Sequence, residues 1–343
     1  MDCTSVVIEG SDQVGKGDTV HDLSGIFLEQ GISICRFSFP QYATPFGSAI
    51  RLFLKNGVGD ISQLSDVKGK RREIEIRMMM FALDRLQALE SILRLSDKER
   101  GVLLLDRGPY SNALTIAYGL SVVKKIANQD IVEMAKLGFE MEGYLIKSLN
   151  LDKCVIQLSA NLGKKGWSSI RDGEEDQYEK KEIQEKADQA YLVFSELVGR
   201  GWKNIVTKEN GIWKKRTVRN KEATNFLEER MALSSFKSSN SAKFESIDVL
   251  DIAKDMYGLD ISNLEDVKEF YNALDRNEKN IIYKKGFSIG EYIANNCSTV
   301  VIKDKGVRES MYNILEKYPE CLILLKEYYS KDFVEKLKEA IYE

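Results

Sequence analysis

The stretch from Val6 to Thr19, VVIEGSDQVGKGDT, decides the fold. An apolar strand-like run, Ser5–Ile8, leads into Gly10-Ser11-Asp12-Gln13-Val14-Gly15-Lys16, and a helical pattern, Thr19–Glu29, follows. This is G-x-x-x-x-G-K in its strand–loop–helix setting. Glycines let the backbone curl so that successive N–H groups point inward at phosphate oxygens, and the helix N-terminus adds partial positive charge. Lys16 supplies a mobile full charge to β- and γ-phosphates. Residues 10–18 are therefore the candidate binding loop for a nucleoside triphosphate. The hydroxyl residue that holds Mg²⁺ at the next position of this motif is replaced by Gly17, followed by Asp18 and Thr19. The alternative reading of the stretch is a glycine-rich turn that happens to carry a lysine.

Outward from the loop, three more short apolar runs read as buried parallel strands: Ile32–Phe37, Val102–Leu105 and Cys154–Leu158. Asn204–Val206 is a weaker fifth. Helical patterns lie between them. In Arg72–Leu95, Ile76, Met79, Met80, Leu83, Leu86, Leu89 and Ile92 recur at spacings of three and four. Ile131–Leu149 and Asp176–Val198 are the others. Alternation of strand and helix predicts an α/β fold, a P-loop NTPase-type parallel sheet flanked by helices. The serine-rich stretch 231–246 reads as a linker between a domain at 1–230 and a mostly helical accessory domain at 247–343. In the latter, Asp332–Ile341 puts Phe333, Leu337 and Ile341 on one face, and Thr299–Ile302 reads as a possible short strand.

Composition narrows the function classes. Of 343 residues, 43% are hydrophobic and 30% charged, which suits a globular chain with a full core. A formal net charge of −3 provides no overall basic field for nucleic acid, so phosphate binding must come from local geometry. Five dispersed cysteines without a C-x-x-C pair, and one histidine, His21, argue against a Cys/His zinc site and for reduced thiols in a cytoplasmic protein. The first nine residues lack the basic start and long apolar run of a signal peptide. No run approaches the ~18 apolar residues that span a bilayer, so no membrane partner is expected.

Further motifs follow in order. Phe39-Pro40-Gln41-Tyr42-Ala43-Thr44-Pro45-Phe46-Gly47 runs into an apolar segment ending in Arg51. Met80-Phe81-Ala82-Leu83-Asp84-Arg85 comes next, then Leu104-Leu105-Asp106-Arg107 with Ser111 and Tyr118-Gly119 behind it. Last come Arg171-Asp172, Asp176-Gln177-Tyr178-Glu179 and Ala190-Tyr191-Leu192. Over residues 3–227 this set resembles the thymidylate kinase family of P-loop nucleoside-monophosphate kinases: its T-P-x-G segment, its L-F-A-x-x-R helix, its D-R-Y strand end and its lid.

The resemblance implies roles. Phe81 would stack on the acceptor base and Arg85 would donate to a base carbonyl; four apart on one helix face, both can meet one base. Arg107 and Arg51 would grip the acceptor phosphate, Asp12 the sugar 3′-hydroxyl, and Asp106 a Mg²⁺ ion. Phe39, Pro40, Ser111 and Tyr178 would line the acceptor site. Lys164, Lys165 and Arg171, in the polar stretch 162–178, would form a basic lid, with Arg171 meeting the transferring charge. The expected activity is transfer of a phosphoryl group from ATP to dTMP, with Mg²⁺, by a homodimer; the Met78–Met80 stretch reads equally as a dimer face or as plain core packing. The chain departs from the family at Gly17, at Tyr42 (an arginine in the family), at Gly108 (a tyrosine) and at Gln177 (often an arginine). A related kinase with another deoxynucleotide or deoxynucleoside acceptor, or a nucleotide-binding module of weakened activity, remain as alternatives.

Overall fold

The computed structural model describes residues 5–56, 69–98, 101–119, 121, 125–161, 181–209, 212–231, 233, 244–246, 249–259 and 287–343. In chain order the elements are β1 (Ser5–Gly10), α1 (Lys16–Glu29), β2 (Ile34–Ser38), α2 (Pro45–Asn56), α3 (Lys70–Lys98) and β3 (Val102–Asp106). A helix wound with the wide π turn, α4 (Ser111–Gly119), follows, then α5 (Asn128–Met141), α6 (Gly143–Ser148) and β4 (Val155–Asn161). Next are α7 (Lys181–Val198), β5 (Trp202–Glu209), β6 (Ile212–Trp213), α8 (Arg216–Arg230) and β7 (Phe244–Ser246). The remaining described elements are helices: α9 (Val249–Asp255), α10 (Phe287–Asn296), α11 (Lys305–Lys317), α12 (Glu320–Tyr328) and α13 (Lys331–Tyr342).

The chain divides into two compact units, Met1–Phe39 with Leu95–Ser246, and Pro40–Arg94 with Ile247–Glu343. The first contains a seven-stranded sheet in the order β6-β5-β4-β1-β3-β2-β7. All pairings are parallel except β5 with β6. Each of the five expected strands is present, and β1 sits between β3 and β4. Val6 and Ile8 share one sheet face with Val102, Leu104, Ile156 and Leu158, and Val20, Leu23 and Phe27 of α1 cover them with Ala223, Phe226 and Leu227 of α8. Both faces of the central strands are buried, which is why they read as unbroken apolar runs. Beside β5, Tyr110, Phe139, Phe194 and Trp202 form a cluster of tilted and stacked rings 5.0–5.9 Å apart.

The linear division at 231–246 does not describe this packing. β7 falls inside that stretch and extends the sheet, Ile34 pairing with Phe244; residues 234–243 lie outside the described ones. In the second unit, α3 is buried along one broad face, with Ile76, Met79, Met80, Leu83, Leu86 and Leu89 fully covered. Polar contacts tie α3 to the C-terminal segment. Arg72 makes a two-pronged ion pair with Glu320 at 2.7 and 2.8 Å and stacks on Tyr318, the Asp304 N–H donates to Glu90, and Ser91 donates to Asp255. Segment 40–94 groups with 247–343 in one compact unit, in which α10 and α12 pack against α2. Met78–Met80 are fully buried within the chain, so they offer no dimer face. Thr299–Ile302 is not a strand: it is an irregular connection before α11, which Asp304 caps by accepting from the Val307 N–H at 2.9 Å. Phe333, Leu337 and Ile341 are buried together on α13 as their spacing predicts.

Candidate functional site

The phosphate loop begins where β1 runs out. Gly10 has φ 137°, and a Cβ there would lie 2.2 Å from the Leu158 carbonyl oxygen, so only glycine fits. Gly15, at φ 88°, turns the chain into α1, whose first residue is Lys16. The buried Lys16 ammonium donates to the Gly10 carbonyl at 3.0 Å and to the Ser11 carbonyl, and lies 3.7 Å from the Asp12 carboxylate. Burial, reinforced by repulsion from Arg107, brings its pKa down to about 8.

Parallel pairing of Ile8 with Asp106 sets the end of β3 beside the loop. Arg107 leaves the strand at φ 69°, a left-handed conformation that costs a residue with a Cβ about 1–2 kcal/mol, with its N–H on the Ile8 carbonyl at 3.0 Å. That turn aims the guanidinium at Asp12, to which it donates. Burial would raise the Asp12 pKa, but Arg107 and Lys16 outweigh it and hold the carboxyl at about 2. For Arg107, burial favours the neutral form, and the carboxylates of Asp12 and Asp106 overcome it and push the pKa up. Asp12, Lys16 and Arg107 are thus one charged cluster inside the loop.

A Cβ on Gly17 would meet Oδ2 of Asp106 at 3.7 Å. The hydroxyl of a serine there would fall beside this carboxylate, and glycine leaves Asp106 as the side-chain oxygen at that spot. Neighbouring groups are otherwise engaged: the Thr19 hydroxyl, fully buried, donates to Gly15 O at 2.9 Å, and Asp18 pairs with Arg216 at 2.6 Å. Among the described residues no three His, Cys, Asp or Glu side chains gather as a metal cage. A Mg²⁺ ion carried by nucleotide phosphates needs no cage: it keeps waters and takes one or two carboxylates, a role Asp106 fits.

Four residues that sequence reasoning did not assign a role complete the loop's surroundings. Glu9, fully buried at the end of β1, accepts from the Gly108 and Ser111 N–H groups at 2.8 and 3.2 Å, the Ser111 hydroxyl at 2.6 Å and the Tyr191 hydroxyl at 2.9 Å. Burial raises its pKa against these donors. On α7, Gln184 takes the Asp12 N–H at 2.5 Å and returns its own N–H to Asp12 Oδ2 at 3.0 Å. Asp188 accepts from the Ser11 hydroxyl at 3.1 Å and is raised by burial to about 6. Gln184, Asp188 and Tyr191 recur at i, i+4 and i+7, one helical stripe laid along the loop. The only signal in the sequence was a charged residue ending an apolar strand and that polar stripe. The same network explains Gly108. A Cβ there would lie 2.8 Å from Val7 and 3.4 Å from the Glu9 carboxylate, so the tyrosine of the family has no room. Ser111 serves Glu9 with both its N–H and its hydroxyl rather than standing open to a ligand.

Phe39 is buried, its N–H on the Asp106 carbonyl at 3.0 Å and its ring 4.6 Å from Phe37. The other acceptor-side candidates fall in the second unit. Pro40 is half-buried just before the T-P-x-G turn. Arg51, on α2, is half-buried, its pKa lowered by burial and partly restored by Tyr42, so the residue replacing the expected arginine lies close to Arg51. On α3, Arg85 is buried, and Phe81 packs edge-on against Phe53 with centroids 6.0 Å apart. The lid candidates Lys164, Lys165 and Arg171, together with Tyr178 and Gln177, lie outside the described residues.

No protein-family model matches the chain. The thymidylate kinase of Mycobacterium tuberculosis strain CDC 1551 is 28% identical over 206 residues, 57% of this chain and 86% of that protein, and the enzyme of strain H37Rv matches equally. The solved thymidylate kinase of Candida albicans superposes on 70% of this chain and 96% of its own with a TM-score of 0.44 and 19% identity. In its phosphate loop, in the order of its motifs and over the 206 matched residues, the chain is similar to thymidylate kinases.

Proposed function

We propose that the protein is a nucleoside-monophosphate kinase that transfers the γ-phosphoryl group of ATP to dTMP, giving dTDP and ADP. The observation that carries this reading is the cluster in which Arg107, at the end of β3, meets Asp12 and Lys16 of the phosphate loop, with Asp106 near its helix start. An acceptor-phosphate oxygen attacks the γ-phosphorus in line, and the bond to the β–γ bridging oxygen breaks with its electrons going to ADP. Positioning and charge stabilisation suffice for such a transfer, with no covalent enzyme intermediate. In this reading Lys16 moves from the loop carbonyls onto the β- and γ-phosphates. Arg107 grips the acceptor phosphate, while Asp12, released in part from that pair, accepts from the 3′-hydroxyl. Asp106 would hold Mg²⁺, which neutralises phosphate charge when bound. By the resemblance, Arg51, Phe81 and Arg85 would hold the acceptor, and Arg171 would meet the transferring charge. Homodimerisation and a cytoplasmic setting belong to the same reading; light scattering of the purified protein tests the first. Among the described residues no helix is long and apolar enough to cross a membrane.

A coupled assay with ATP, Mg²⁺ and dTMP, dUMP, dCMP and dGMP in turn tests the reaction. Turnover with dTMP preferred is expected; no turnover of any of them with Mg²⁺ or Mn²⁺ sinks the proposal. The Tyr42 side chain beside Arg51 favours a second acceptor as the runner-up, which the same panel separates. The lack of a hydroxyl at Gly17 favours a module that binds nucleotide and transfers poorly; calorimetric ATP binding without turnover would select it.

A further inference from the structure

Within the second unit, one polar chain leads from the C-terminal segment into the turn that begins α2. The Tyr257 hydroxyl donates to Oε1 of Gln87 at 2.9 Å. The Gln87 amide spends its two N–H bonds on the Thr44 hydroxyl at 2.6 Å and on Oδ1 of Asp84 at 2.7 Å. Thr44 in turn donates to the Gln41 carbonyl at 2.8 Å and accepts the Gly47 N–H at 3.1 Å, and Asp84 Oδ2 accepts the Gln41 N–H at 3.1 Å. All of these side chains are buried. The orientation of the Gln87 amide is fixed at both ends, because turning it over would set its oxygen against the Asp84 carboxylate. A second contact comes from the same C-terminal segment: the Tyr329 hydroxyl donates to the Pro45 carbonyl at 3.1 Å. A third is Gly290, so close that an added Cβ would lie 2.6 Å from the Ser48 hydroxyl and 3.1 Å from the Thr44 carbonyl.

The residues held this way are not remote from the acceptor candidates. Thr44–Gly47 starts the helix that carries Arg51, and Asp84 and Gln87 flank Arg85 on the helix that carries Phe81. We infer that the C-terminal segment is a clamp on the acceptor half, with Tyr257 and Tyr329 as positioning residues that set the 41–48 turn and, through it, the affinity for the nucleoside monophosphate. This rests on the kinase reading for its ligand, though not for the clamp itself.

The test uses the full chain with Tyr257→Phe and, separately, Tyr329→Phe, each removing one hydroxyl while keeping the ring. Glu320→Gln is the control: it loosens the docking of the C-terminal helices at Arg72, far along α3 from the turn. Each tyrosine variant is expected to raise the KM for dTMP roughly fivefold, the scale of one neutral hydrogen bond, and to leave the KM for ATP unchanged. Amide hydrogen exchange at Gln41 and Gly47 speeds up in both. Glu320→Gln changes neither quantity. Equal shifts in both KM values, the same effects from Glu320→Gln, or unaltered exchange at Gln41 and Gly47 would overturn the clamp. Were wild-type protein to phosphorylate no nucleoside monophosphate, the kinase reading would fall, and amide exchange in the three variants would still decide the clamp.

Discussion

The Arg107 guanidinium donates to the Asp12 carboxylate, so the last turn of a central strand is tied to the middle of the phosphate loop. The pair is the main reason that the Asp12 carboxyl sits at about 2 against an ordinary 3.8, burial working the other way. A depressed carboxylate stabilises the fold above its unfolded pKa, and that stability is lost as pH falls towards the folded value. Arg107→Met should therefore cost about 2 kcal/mol of unfolding free energy at pH 7, with the difference from wild type closing between pH 4 and pH 2. Urea denaturation across that range checks it. If the proposed kinase reading holds, turnover in the same variant should fall by roughly a hundredfold or more, since that reading puts the Arg107 charge on the acceptor phosphate.

Lys16 titrates in the opposite sense. Burial and Arg107 bring it from 10.5 to about 8, so its charge is a cost to the fold at neutral pH, relieved as pH rises from 8 towards 10.5. Phosphate binding needs the charged form. Calorimetric affinity for ATP in the absence of acceptor should hold steady to about pH 8 and fall by roughly tenfold per unit beyond it. Lys16→Met should bind weakly and lose this dependence. A flat profile for wild-type protein up to pH 10 would show that the ammonium does not meet the triphosphate.

Position 17 can accept a side chain. A Cβ there finds Asp106 Oδ2 at 3.7 Å, ordinary contact distance, and the residue is exposed in the first turn of α1. Gly17→Ser should raise stability by about 0.5 kcal/mol, the helix-propensity difference between the two residues. In the proposed reading, where Asp106 holds Mg²⁺, it should also lower the Mg²⁺ concentration needed for half-maximal turnover by roughly threefold to tenfold, since a hydroxyl would join that carboxylate. A Mg²⁺ titration of both proteins measures this; no change would mean that the metal is held elsewhere.

The strands and the loop were legible because each depends on local chemistry: apolar runs buried on both faces, and a glycine spacing that permits one backbone path. What stayed illegible depends on distance along the chain. Glu9 finds Tyr191 across 182 residues and Asp12 finds Gln184 across 172, and a single sequence gives no sign that these polar side chains meet. Ser111 lay at the expected spacing, yet its hydroxyl is spent on Glu9. The helical tail was legible as helices, Phe333, Leu337 and Ile341 included. Its partner was not, because an amphipathic face records that something covers it without recording what. The Met78–Met80 run is ambiguous in sequence for the same reason: an apolar surface destined for α3's own neighbours looks like one destined for a second copy, and its burial within the chain decides for the core.

Gly290 tests how tightly the C-terminal segment closes on the turn at Thr44. An alanine Cβ would lie 2.6 Å from the Ser48 hydroxyl, 3.0 Å from the Tyr329 hydroxyl and 3.1 Å from the Thr44 carbonyl. Two of these are ends of side chains, but the third is backbone, and the Ser48 hydroxyl is itself held on the Tyr42 carbonyl at 2.9 Å. Relief therefore requires either breaking that bond or moving the turn. Gly290→Ala should destabilise by about 1–3 kcal/mol, the usual cost of overpacking, despite the gain in helix propensity that alanine brings. Ser48→Ala removes the closest atom, so the double variant should recover part of the loss, a coupling that two independent sites would not show. If thermal unfolding gave additive effects, the contact between α10 and the turn would be looser than these distances describe.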